Sequence, residues 1–126
     1  YGISEDIIYC ERLEQKYLPT IYKMSDIFVL PTSYEIFGMV ILEAMYFGTP
    51  VLTTLNGGSD ILIKNEISGY ILPKLDAEIW ANKTVEILKK DNSQLIKAAH
   101  DNIINHFTWD VLAEKFIEAY NRKMEV

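Results

Sequence analysis

The chain has 126 residues, which suits one domain or a large part of one, and 49% hydrophobic against 24% charged residues is a globular balance that excludes a disordered chain. A net charge of -6 argues against a nucleic-acid surface and does not favour anionic lipid. A single cysteine, Cys10, excludes an internal disulfide and a thiolate metal cluster and fits a reducing, intracellular compartment.

Four strand-like runs alternate with helix-like or turn-like segments. The first strand is expected over residues 6–10 (DIIYC), followed by a helix over 14–24, "EQKYLPTIYKM". Pro19 lacks the helical donor, so it predicts a kink or a late helix start. A strand over 27–30 (IFVL) is closed by Pro31, and a helix over 37–47 is stopped by Gly48 and Thr49-Pro50. Residues 51–54 (VLTT) read as a strand, Asn56-Gly57-Gly58 as a tight loop, and Ser59 as the cap of a short helix, "DILIKN". The fourth strand covers 69–72 (GYIL) before Pro73. Three helices close the chain. Asp76 caps "AEIWANKTVEILKK", Ser93 starts "QLIKAAHDNIINH", and Thr108 caps "WDVLAEKFIEAYNRK" with Asp110 in its first turn. Short apolar strands alternating with helices predict an α/β fold, a parallel sheet with helices on both faces. No linker divides the chain, so residues 1–126 are expected to form a single domain. No apolar run approaches the roughly 20 residues of a membrane span, and no signal peptide is visible ahead of Tyr1.

Two carboxylates stand out in "PTSYEIFGMVILEAMYFGTP". Glu43 interrupts the apolar run Phe37 to Met45, and Glu35 sits just before that run. A buried carboxylate without partners costs several kcal/mol. Glu43 is therefore expected to be salt-bridged, to reach a cleft edge, or to bind a polar ligand. Its two acceptor oxygens suit a pair of neighbouring hydroxyls such as a ribose diol. Glu35 lies in a strand-to-helix loop, where open parallel sheets bind ligands. The first amides of the following helix, at Phe37, Gly38, Met39 and Val40, lack intrahelical acceptors and suit a phosphate. Gly38 would let a ligand approach the backbone or simply pack helix against strand. His100 and His106 show no metal-ligand spacing, and Met24, Met39 and Met45 read as packing residues.

The stretch 31–73 resembles the donor-binding region of retaining GT-B fold glycosyltransferases of the group 1 family. The shared pattern is Glu-x7-Glu (Glu35, Glu43), Glu-Ala-Met from Glu43, Gly-x-Pro-Val from Gly48, Gly57-Gly58, and Gly-Tyr-Ile-Leu-Pro from Gly69. The flanks are similar too, so the likeness covers nearly the whole chain. The resemblance implies that Glu35 contacts donor-sugar hydroxyls at the catalytic centre and that Glu43 holds the ribose hydroxyls. It implies that amides of Phe37, Gly38, Met39 and Val40 bind the diphosphate or sugar. The loop from Cys10 to Leu13 would lie beside the nucleobase, which makes Cys10 and Arg12 donor-binding candidates. The implied reaction transfers a hexosyl group, with retention, from a nucleoside diphosphate sugar to a glycan or lipid-linked acceptor, as in polysaccharide biosynthesis. No metal or other cofactor is expected.

The chain departs from the family pattern at Ile36, where glycine is frequent, at Asp60, where glutamate is common, and at Cys10-Glu11. The likeness implies half of the second domain of the GT-B fold, the later part of the nucleotide-sugar-binding domain. The N-terminal acceptor domain and the first two strands, with their arginine and lysine for the diphosphate, have no counterpart here. The piece alone is therefore expected to be inactive, and the missing N-terminal domain of the same protein is an expected partner. An unpaired strand at residues 6–10 predicts self-association. The expected location is cytoplasmic, with contact at the inner face of a membrane left open for the parent protein only. Two other readings stand beside this one. One is a non-catalytic nucleotide- or protein-binding domain. The other is a different GT-B enzyme, such as a sugar-nucleotide epimerase or a phosphorylase.

Overall fold

The computed structural model describes residues 2–124. Its sheet has three parallel strands, β1 (Phe28–Leu30), β2 (Val51–Thr54) and β3 (Tyr70–Leu72), in the order β1-β2-β3. Val29 pairs with Leu52, and Thr53 with Ile71. Six helices complete the fold: α1 (Leu18–Met24), α2 (Met39–Phe47), α3 (Gly57–Leu62), α4 (Ala77–Lys89), α5 (Ser93–His106) and α6 (Trp109–Met124).

Successive residues of a strand face opposite sides of a sheet. Every residue of β2 is buried, as a central parallel strand requires. Val51 enters one core with Tyr22, Ile41, Met45, Leu62 and Ile103. Leu52 enters a second with Tyr70, Trp80, Ile87 and Leu95. Helices therefore cover both faces, as predicted. The first core is centred on α2, where Ile41, Ala44 and Met45 are fully buried. Each large apolar side chain removed from water there contributes about 1.5–3 kcal/mol.

Local signals explain most of the boundaries. Pro19 sits in the first turn of α1, so its missing donor is harmless and the helix starts late. A 3-10 turn over Gln15–Tyr17 leads into α1. The amides of Gly48 and Thr49 turn back onto Met45 and Ala44 and end α2. Asp76 caps α4 by accepting from Glu78 and Ile79, both at 3.0 Å.

Several expectations are corrected. Residues 6–10 form no strand. Ser4–Asp6 make a 3-10 turn, and Ile7, Ile8 and Tyr9 are 61%, 90% and 84% exposed. A strand needs a ladder partner, and among the described residues none pairs with this run. The Asn56-Gly57-Gly58 stretch is a helix start, not a free loop. Asn56 caps α3 by accepting from the Ser59 amide at 2.9 Å, while the Ser59 hydroxyl accepts from the Asn56 amide, a reciprocal capping box. Ser59 is thus the third residue of the helix and not its cap. Thr108 directly precedes α6 and its carbonyl accepts from the Leu112 amide at 3.0 Å, while its hydroxyl donates to the Ile104 carbonyl. Among the described residues, no helix is long and apolar enough to cross a membrane.

Candidate functional site

Two backbone segments meet beyond the carboxyl ends of β1 and β2. The loop 31–38 leaves β1, and the turn 55–56 leads from β2 into α3. They lie so close that side chains are excluded. A Cβ on Gly58 would stand 2.6 Å from the Phe37 oxygen, and one on Gly57 2.8 Å from the Ile36 oxygen. The Gly58 amide donates to the Glu35 carbonyl at 3.3 Å and ties the two segments together. The Gly-Gly pair therefore holds the loop that carries Glu35.

Gly38 caps α2 in the left-handed region, at φ 80. Its amide donates to Glu35 Oε1 at 3.1 Å. An anion beside a helix N-terminus is favoured, and here that anion is the protein's own carboxylate. The expectation of four free amides is corrected accordingly: the Gly38 donor is occupied. The amides of Phe37, Met39 and Val40 have no acceptor among the described residues.

Glu43 lies five residues into the chain from Gly38, about 7.5 Å along the axis. It is half-buried, and its Oε2 accepts from the Tyr22 hydroxyl at 3.1 Å. Among the described residues no cation pairs with it. The salt-bridge alternative is therefore set aside in favour of a cleft edge. Burial first, and then the charge and hydrogen bond of Glu43, push the Tyr22 phenol up to about 12.

Glu43 lines a cleft of about 490 Å³. One wall is α2, with Met39, Leu42, Tyr46 and Phe47 at helical spacing, preceded by Phe37. Gln15, Leu18 and Pro19 close one side, and Phe107 and Trp109 the other. Its lining is mostly apolar and, among the described residues, holds no lysine or arginine. Such a cleft accepts a flat apolar body with hydroxyls directed at one acid.

The structure gathers only part of the predicted set. Phe37, Met39 and Glu43 line the cleft, whereas Glu35 and Val40 do not. Glu35 lies instead at the first amide of the helix that carries Glu43. Cys10 and Arg12 are exposed on the unpaired N-terminal segment, outside the cleft. No ladder holds that segment against the sheet. Sequence reasoning missed Tyr22, Gln15 and the wall at Phe107 and Trp109. Tyr22 belongs to a helix that was predicted, but its partner is 21 residues away. The far wall comes from the α5–α6 junction, which no short-range pattern ties to Glu43. Among the described residues, no group of histidine, cysteine and acidic side chains could hold a metal ion.

The family model for glycosyl transferases group 1 matches residues 1–121. An uncharacterized glycosyltransferase of Methanocaldococcus jannaschii is 30% identical over 99% of this chain. The sucrose-phosphate synthase of Thermosynechococcus elongatus superposes with a TM-score of 0.87 at 28% identity, over 98% of this chain. The Anabaena protein HepE, crystallised with UDP and glucose, shares the fold at a TM-score of 0.72 and 20% identity, over 83% of this chain and 29% of its own. The chain spans about a third of the first two proteins, 33% and 32% of their lengths. Its α/β fold matches part of the GT-B glycosyltransferases, and the chain belongs to the group 1 glycosyl transferases.

Proposed function

We propose that this chain is the donor-binding portion of a retaining glycosyltransferase that uses a nucleoside diphosphate sugar. The observation that carries the reading is Glu43: a half-buried acid without a cationic partner among the described residues, on the wall of an apolar cleft. In this reading the base packs among Leu18, Pro19 and Phe37, and the ribose hydroxyls donate to Glu43. The diphosphate accepts from the Met39 and Val40 amides, and the hexose reaches toward Glu35. The HepE neighbour was also crystallised with UDP-glucose, a donor of this class.

The chemistry follows from those positions. The anomeric carbon–oxygen bond breaks, and the electron pair leaves with the diphosphate. An acceptor hydroxyl forms the new bond on the same face and gives its proton to an oxygen of the departing diphosphate. Backbone amides at a helix N-terminus stabilise charge growing on the leaving group. No resident metal is part of the proposal. The remaining charge would fall to the arginine and lysine that the family likeness assigns to preceding strands. Glu35 can keep Oε1 on the Gly38 amide and offer sugar hydroxyls its Oε2, which no donor among the described residues occupies. The acceptor would be held by a further domain, because transfer needs both substrates positioned together.

The test is a donor screen of the intact protein with UDP-, GDP- and ADP-sugars, with product identification. One donor class is expected to give transfer with retained configuration. Glu43→Gln is expected to weaken binding of that donor about tenfold or more, since a hydrogen bond to a charged group contributes about 1.5–3 kcal/mol. Unchanged affinity in the variant would refute the ribose assignment, and no binding of any donor would refute the reading as a whole.

A further inference from the structure

We propose that Tyr22 is a positioning residue for this site. Its phenol holds Glu43 so that one carboxylate oxygen is fixed and the other stays open to a vicinal diol, and it thereby sets a preference for ribose over 2′-deoxyribose. The inference rests on the reading of the cleft as a nucleotide site.

The Tyr22 ring is itself held on several sides. It is 8% exposed, stacks on Phe47 with centroids 6.0 Å apart, and meets Phe28 edge-on at 5.7 Å. Its backbone carbonyl accepts from the Thr49 hydroxyl at 2.5 Å, which anchors α1 beneath the ring. The hydroxyl therefore meets Glu43 from a ring with little freedom to move.

Glu43 needs such a partner. A glutamate has three rotatable bonds, and no cation among the described residues restrains this one. Tyr22 occupies Oε2, and no described donor reaches Oε1. Oε1 is not sealed either, because no buried side-chain polar atom lacks a partner among the described residues. One oxygen is thus committed to the protein, and the other is left to a ligand from the cleft side. The Tyr22 hydroxyl stays protonated through the neutral range, since its pKa is pushed up to about 12. It remains a donor to the Glu43 oxygen. Without the phenol, the carboxylate would have to be ordered by each incoming ligand, which weakens binding.

The test measures affinities of the intact protein by calorimetry for UDP, GDP and ADP and for their 2′-deoxy counterparts. The base that binds tightest carries the comparison. The wild type is expected to favour the ribonucleotide. Tyr22→Phe keeps the ring packing, which an unchanged melting temperature would verify. It is expected to bind the ribonucleotide about 3- to 10-fold more weakly, with the deoxy form unaffected. Glu43→Asp keeps the charge but shortens the reach to the phenol, and it should lose the preference in the same way. If Tyr22→Phe or Glu43→Asp keeps the wild-type ratio while Glu43→Gln loses it, the positioning role is wrong and the site reading survives. Equal wild-type affinity for ribo and deoxy forms, or no binding at all, would overturn the site reading itself.

Discussion

Two regions of similar apolar character meet opposite fates. In Val51–Thr54 every residue is buried, whereas Ile7, Ile8 and Tyr9 are at least 61% exposed. The central strand has a ladder on each side and a helix layer on each face. The N-terminal run has no ladder among the described residues, so its apolar side chains stay in water. Apolar, β-branched sequence is a condition for a strand and not a cause of one. The partner decides. The same contrast explains the site, since the cleft residues hang from the central region and the two candidates on the N-terminal run, Cys10 and Arg12, are left outside.

Substitutions can break this comparison, beginning with the largest effect. Met45→Ala empties a fully buried position in the core around α2 and should cost about 2–5 kcal/mol in denaturant unfolding. A loss below 1 kcal/mol would mean that α2 is not the centre of the core. Gly58→Ala forces a Cβ to 2.6 Å from the Phe37 oxygen, so the loop of Glu35 must move. A cost of about 1–3 kcal/mol is expected, together with weaker donor binding. A smaller, pH-dependent effect belongs to Tyr22. Its pKa is raised from 10.0 to about 12 in the folded chain, so the unfolded chain releases that proton first. Stability from this group is complete below pH 10 and is lost as pH rises toward 12. Glu43→Gln removes the charge but neither the burial nor the acceptor oxygen, so unfolding midpoints measured across that range should fall less steeply. The smallest change is expected from Ile8→Ser, which should stay within about 0.5 kcal/mol of wild type. A large loss there would show that the N-terminal run is packed after all.

Much of the fold was legible because its signals are local. Pro19, Gly48-Thr49-Pro50 and Asp76 mark helix ends through their own backbone chemistry, and residues 51–54 read as a buried strand. The capping box at Asn56 and Ser59 was misread by one turn, because the Gly-Gly pair signals a loop as readily as a helix start held close to another backbone. The candidate site was half legible. Glu35, Glu43 and the segment from Phe37 stood out because acids flank or interrupt an apolar run. Tyr22 and Trp109 did not, because their roles depend on long-range packing. The Gly38 amide looked free because a local pattern does not show that Glu35 folds back onto it.

The central claim is that a nucleoside diphosphate lies along α2, its ribose on Glu43 and its phosphates on the Met39 and Val40 amides. A crystal structure of the intact protein with the nucleotide of its preferred donor tests this most directly. The account predicts ribose hydroxyls within hydrogen-bond reach of Glu43, with the Tyr22 contact retained. A nucleotide bound elsewhere, or a Glu43 closed off by a cation from a neighbouring domain, would contradict it.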